Sequence, residues 1–347
     1  MNQRINYIDL AKGICILLII LHHIQSPINQ TEGYRMLTCF RVPLYFVLSG
    51  LFFKKYSGFI NFILRKVNKL VVPFIFFLTL TYLIFSCLWG ISGHINYITM
   101  MPQRIAEGFL TKTIYINIPL WFLVSLFETS VMFYLIISLA DKLPLNKWYK
   151  EGIIAGICLL TGFTGYYLQS FHINLPLWID SSMACLPFYY TGYFLRKETS
   201  VLMPNKADKY IPILLILFAV LVYFLAGPLH KISYLSYYVS AMSGTSFVLL
   251  LSKLAVRIPV VSFLGRYSVI ILGIHCIIII VLKDHLTFIT NPWLLSATIF
   301  ALVVLISIPA VKLLIRYLPW FVCQKDLIKV APKPISEFET NLSSTSE

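Results

Sequence analysis

Apolar residues run through this chain in blocks too long for the core of a soluble domain. Six stretches carry no Asp, Glu, Lys or Arg: 13–31, 70–103, 152–179, 210–230, 232–252 and 285–311. Each can cross a hydrocarbon core about 30 Å thick as a helix. Shorter apolar runs, each broken by one charge, surround Arg41, Glu128, Asp180 and Arg266. Together these blocks predict about ten spanning helices. They fall near 8–27, 36–53, 70–91, 118–140, 151–169, 181–195, 210–227, 232–252, 260–282 and 291–316. The expected fold class is therefore all-α, a polytopic transmembrane helical bundle over residues 1–323. Residues 324–347, polar and Ser/Thr-rich at their end, are expected to form a disordered cytoplasmic tail. The N-terminal segment shows no small-residue cleavage site, so the first span is expected to be retained and not to act as a signal peptide.

Composition agrees. Hydrophobic residues make up 59% of the 347 and charged residues 12%, and the mean hydropathy is +0.81. Such a balance departs from that of soluble proteins. A net charge of +14 could suggest nucleic acid, but its distribution points to membrane topology and no nucleic-acid partner is expected. With the N-terminus inside, 22 of the 28 Lys and Arg fall on cytoplasmic segments and five on outer ones. That asymmetry predicts both termini inside and an even number of spans. The seven cysteines are scattered without CxxC or metal-ligand spacing, so neither disulfides nor a metal is expected.

Against this apolar background, the intramembrane polar residues become the candidates for chemistry. The first span alone holds Asp9, Lys12, His22 and His23. His23 lies eleven residues after Lys12, about 16 Å further along a helix. Arg41, Trp121 and His275 are expected at a similar outer depth, and Glu128 near mid-membrane. His22, about 100° around the helix from His23, is expected to face something else. Asp180 is expected at the interface, solvated. A second layer at the inner face gathers Asp9, Lys12, Arg65, Lys66, Lys69 and Arg266. Basic inner loops serve orientation in any membrane protein. They also suit a phosphorylated cytoplasmic cofactor, and an anion site below an outer histidine suggests a group handed across the membrane.

Five segments carry a resemblance, in order along the chain. They are Ile8-Asp9-Leu10-Ala11-Lys12-Gly13 with His23, then Phe40-Arg41-Val42-Pro43-Leu44-Tyr45-Phe46-Val47-Leu48-Ser49-Gly50, and then the basic run from Arg65 to Pro73. Leu120-Trp121-Phe122-Leu123 with Glu128, and Leu264-Gly265-Arg266-Tyr267-Ser268 with His275, complete the series. The set resembles the acyltransferase-3 family of integral-membrane acyltransferases. Lys12 holds a position often taken by Arg, which is closest to the fucose 4-O-acetylase-like branch. Arg41 stands where many members carry His.

The resemblance implies acetyl-CoA, or another acyl-CoA, as cytoplasmic donor, and no metal. It implies a hydroxyl of a cell-envelope glycan or lipid-linked sugar as acceptor, in a multi-pass protein of the bacterial inner (plasma) membrane. It makes His23 the essential histidine. His23, Arg41 and Glu128 are the catalytic candidates. Lys12, Arg65, Lys66, Lys69 and Arg266 are the donor-binding candidates, and Asp9, Ser49, Trp121 and His275 the acceptor-binding ones. A histidine suits the general-base role in oxygen acylation, or it can take the acyl group covalently. Arg41 suits a developing oxyanion, and Glu128 or Asp9 suits the task of orienting an imidazole. No stretch resembles the soluble esterase-like domain fused to some members. The protein is thus expected to act alone or to pass its acyl group to a separate partner. The competing class is a glycolipid or polysaccharide transporter or flippase. It lacks support from internal repeats.

Overall fold

The computed structural model describes residues 6–112, 114, 116–198, 206–226, 232–255 and 258–330. Among them the regular structure is helical and no strand occurs. The first half of the chain folds into α1 (Asn6–Ile24), α2 (Glu32–Thr38), α3 (Pro43–Leu51), α4 (Phe59–Lys66), α5 (Val72–Ile91), α6 (Ile95–Thr111) and α7 (Trp121–Asp141). The second half gives α8 (Lys147–Ser170), α9 (Ile179–Glu198), α10 (Ile211–Leu225), α11 (Tyr234–Leu254), α12 (Pro259–Arg266), α13 (Ser268–His285) and α14 (Pro292–Tyr317). A π turn over Val67–Val71 joins α4 to α5. Of the expected tail, residues 331–347 lie outside the described residues.

Among the described residues, eight helical segments are long and apolar enough to cross a membrane. The chain is thus a multi-pass membrane protein. Its segments correct the expected span list in three places. The span expected over 36–53 is two short helices, α2 and α3, separated by a turn. Pro43, at the first position of α3, has no N–H to offer the Cys39 carbonyl, which interrupts the helical hydrogen bonding around Arg41 even though Val42 keeps helical dihedrals. Arg41 therefore sits in a turn and not within a span. The nine residues of α3 rise about 13 Å, less than half a bilayer core. The span expected over 260–282 is divided at Tyr267 into α12 and α13. The third correction is α9: it has 20 residues but is too polar to join the eight.

Asp180, at the start of α9, is not solvated. It is fully buried and ion-paired with Lys112, which follows the end of α6. Its other oxygen accepts from Leu175 N at 3.3 Å. A carboxylate can stay charged in such a place because it is paired.

Small residues let the central helices approach closely, as in other membrane bundles. A Cβ on Gly265 of α12 would lie 1.8 Å from the Asp9 carbonyl oxygen of α1, and one on Gly13 would lie 2.0 Å from Val261 O. Gly50 of α3 and Gly192 of α9 form a second such crossing, against Tyr189 O and Val47 O. The first crossing fixes α1, and with it Lys12 and His23, against α12. The second holds the short α3 in place against α9.

Candidate active site

One cavity of about 590 Å³ runs between α1, α3, the π turn, α7 and α13. Lys66, Lys69 and Cys323 line one end, and His22, His23, Arg41 and Trp121 the other. Lys12, Tyr45, Ser49 and Ser268 line the wall between. Since Lys12 and His23 are eleven residues apart on α1, the cavity covers about 16 Å of helix.

At the histidine end, the His23 ring lies between two others. Its centroid is 5.1 Å from that of His22 and 5.3 Å from that of His275. Among the described residues, nothing hydrogen-bonds the His23 imidazole, and it faces the cavity. His275 is fully buried, and its Nδ1 lies 2.9 Å from Ile271 O. A carbonyl only accepts, so Nδ1 carries the hydrogen and Nε2 the lone pair. His22 does not turn away from this site. It lines the same cavity, because α1 ends one residue after His23 and the cavity wraps round the helix end. Its Nδ1 lies 2.7 Å from the Tyr34 hydroxyl, which also accepts from Arg41 Nη1 at 3.2 Å. Asn29 Nδ2 donates to the His22 carbonyl at 2.8 Å and fixes the chain just beyond.

Pro73 shapes the basic end. It has no N–H to offer the carbonyl four residues before it, which is that of Lys69. The helix opens into the π turn, and the Cys323 thiol donates to Lys69 O at 3.0 Å. Lys69 Nζ returns a bond of 3.0 Å to Cys323 O and pairs with Asp326 Oδ1 at 2.9 Å. Next to it, buried Asn68 donates to Ile328 O at 2.8 Å and accepts from Leu327 N and Ile328 N at 3.0 and 2.9 Å. The segment after α14 is therefore tied over this end, and Cys323 becomes part of the cavity wall. Lys66 donates to Tyr189 Oη at 3.3 Å and has no carboxylate partner among the described residues. A half-buried ammonium without a counter-ion suits an anionic ligand.

Eight of the twelve candidates from the sequence meet here: Lys12, His23, Arg41, Ser49, Lys66, Lys69 and Trp121 on the cavity wall, and His275 directly behind His23. Four do not. Glu128 faces α9, where it accepts from Ser182 Oγ at 2.6 Å beside Ser125. The helix face it occupies turns it from the histidines. Asp9 is buried beneath Gly265, where its backbone packs against α12. Arg65 lies over the Tyr56 ring, 4.7 Å from its centroid. Arg266 is exposed, with its guanidinium carbon 5.8 Å from the Tyr267 ring centroid.

Four residues that went unnamed as candidates matter to this geometry. Tyr45 donates to the Lys12 carbonyl at 2.9 Å and lines the cavity. Ser268 lines it as well, and both lie inside segments that carried the resemblance. Asn68 lies inside the basic run from Arg65 to Pro73, and Tyr34 lies outside all five segments. Chemically, the arrangement offers a base, neutral and cationic donors around it, and a passage to a cationic end. Deprotonating a hydroxyl and stabilising an oxyanion need such groups.

Comparison with known proteins agrees with this chemistry. No curated protein and no solved structure matches the chain. The family model described as an acyltransferase domain matches residues 5–312, from the start of α1 into α14. A match over most of the chain, on a helical bundle with this cavity at its centre, shows that the protein belongs to the acyltransferase-3 family of membrane acyltransferases.

Proposed function

We propose that the protein moves an acyl group, most simply acetyl, from acyl-CoA at the basic end of the cavity to an acceptor hydroxyl at the histidine end. A single observation supports this above all: one continuous cavity joins Lys66 to His23, a cation and an imidazole that, among the described residues, have no counter-ion and no hydrogen-bond partner respectively. The residues present fit the donor. Lys66 and Lys69, with Lys12 on the wall beyond them, would hold its phosphates, and apolar wall residues such as Leu48 and Leu272 would take a flexible arm. When bound, the donor supplies a thioester, which is an activated acyl group.

His23 acts as general base. It takes the proton of the acceptor hydroxyl as that oxygen bonds to the carbonyl carbon. The carbon–sulfur bond breaks, and the proton passes on to the leaving thiolate. Arg41 places a permanent positive charge at the same end, in a site of low dielectric. Trp121 offers a flat apolar face of the kind a sugar ring stacks on. The acceptor is then a hydroxyl of an envelope glycan or lipid-linked sugar, reached from the outer side of a bacterial plasma membrane.

Mass spectrometry of envelope glycans from cells with and without the protein tests this reading. O-acyl mass increments should vanish when the protein is absent and return with it. Identical glycan masses in both would overturn the proposal and favour a transport role.

A further inference from the structure

Three side chains at the histidine end form a directed chain of hydrogen bonds. Arg41 Nη1 donates to the Tyr34 hydroxyl at 3.2 Å, and that hydroxyl lies 2.7 Å from His22 Nδ1. Guanidinium groups only donate, so Tyr34 oxygen is the acceptor in the first bond. Its own proton then has His22 Nδ1 as its acceptor. The reverse order would put an imidazole N–H and a guanidinium N–H on one phenol oxygen. It would also leave the proton of a buried Tyr34 with no acceptor among the described residues. Burial pushes the Tyr34 phenol above its ordinary pKa, although Arg41 works against this, so the hydroxyl keeps its proton at neutral pH.

With a lone pair on Nδ1, neutral His22 carries its hydrogen on Nε2. The ring is held in place twice more: it stacks nearly parallel to Tyr34, with an interplanar angle of 7°, and its backbone carbonyl is bonded by Asn29 and Gln25. It lines the cavity next to His23. On its far side, His275 shows the opposite tautomer, with Nδ1–H spent on Ile271 O.

On the acyl-transfer reading above, we infer that His22 is a second catalytic histidine, an Nε2–H donor to the thioester carbonyl oxygen, and that Tyr34 is the positioning residue that sets its tautomer. The two histidines divide the work. His23 takes the proton from the hydroxyl. His22 gives up no proton. It donates a hydrogen bond that strengthens as the carbonyl oxygen becomes an oxyanion, and Arg41 reaches that bond through Tyr34. Donors already fixed at the position of developing charge lower the barrier without reorganising.

Amide side chains test the tautomer. Gln places an N–H near the position of an imidazole Nε2, whereas Asn places one near Nδ1. Acetyl transfer is measured for His22→Gln, His22→Asn, His22→Phe and Tyr34→Phe in the full-length protein, at matched abundance and with thermal melts to report folding. Removing one oxyanion donor typically lowers kcat by about 100- to 1000-fold. His22→Asn and His22→Phe should show a loss of that order with little change in the KM for the acyl donor. His22→Gln should keep most of the rate. Tyr34→Phe should lower kcat by about 10-fold at unchanged KM, the size of one weakened charge-assisted bond.

A His22→Phe protein with wild-type kcat overturns the inference, as does an Asn variant as fast as the Gln variant. A Tyr34→Phe protein with unchanged kcat removes the positioning role. Should the wild-type protein transfer no acyl group at all, the failure lies with the proposed function and not with the histidine assignment.

Discussion

His23 and His275, on the first and the thirteenth helices, bring their rings to 5.3 Å. The contact depends on close packing around α1. Gly13 and Gly265 let α1 and α12 touch backbone to backbone, and α13 begins two residues after α12 closes. His23 is thereby backed by a buried ring whose tautomer is fixed, and its own nitrogens are left to the cavity.

The Lys66 ammonium has no carboxylate partner among the described residues, so an anionic donor should meet it in both the ground and the transition state. Lys66→Met should raise the KM for acetyl-CoA by about 10-fold or more while kcat stays within a few-fold. Steady-state kinetics in detergent micelles decides this. A lower kcat at constant KM would place Lys66 outside the donor site.

Glu128 is spent on Ser182, at 2.6 Å, and does not line the cavity. Glu128→Gln keeps an acceptor for that hydroxyl, so acylation should fall by less than about 10-fold, well short of the loss typical for a catalytic base. A loss as large as that of a catalytic base would return Glu128 to the chemistry.

Asn68 uses both ends of its amide to tie Leu327 and Ile328 down. Asn68→Leu leaves those backbone groups without their partner, at a cost of about 1–3 kcal/mol. The melting temperature should drop, and limited proteolysis should cut near Gln324 where the wild-type chain resists. Equal protease resistance in both proteins would show that the segment is held by other contacts.

The Lys/Arg asymmetry predicts an inside N-terminus, with the exposed start of α8 on the same side and the loop after α13 outside. An impermeant thiol reagent applied to intact cells should label Thr287→Cys above the background of the native cysteines and leave Lys147→Cys at background. The opposite pattern inverts the orientation.

Much of this site was legible in the sequence because depth is legible. The eleven-residue step from Lys12 to His23 puts both on the cavity wall, and the ordered segments supplied Ser49 and Trp121 there too. What depth cannot give is the direction around a helix. Glu128 lies on the face of α7 that packs against α9, away from the cavity. His22 failed in the other sense: 100° of rotation excludes a residue inside a packed helix, but α1 ends there and leaves both rings in the same space. The short α3 was hidden by an apolar run that continues through Pro43. Tyr34 and Asn68 matter through side-chain hydrogen bonds to residues on other segments, which no periodicity records.

The central claim is that His23 is the base for acyl transfer. Sealed inside-out membrane vesicles, supplied with labelled acetyl-CoA and containing wild-type or His23→Ala protein in equal amounts, measure it directly as label incorporated into glycan. Loss of a general base lowers the rate by about 100- to 10,000-fold. The His23→Ala vesicles should therefore incorporate at most about 1% of the wild-type label. Incorporation near the wild-type level would contradict the account.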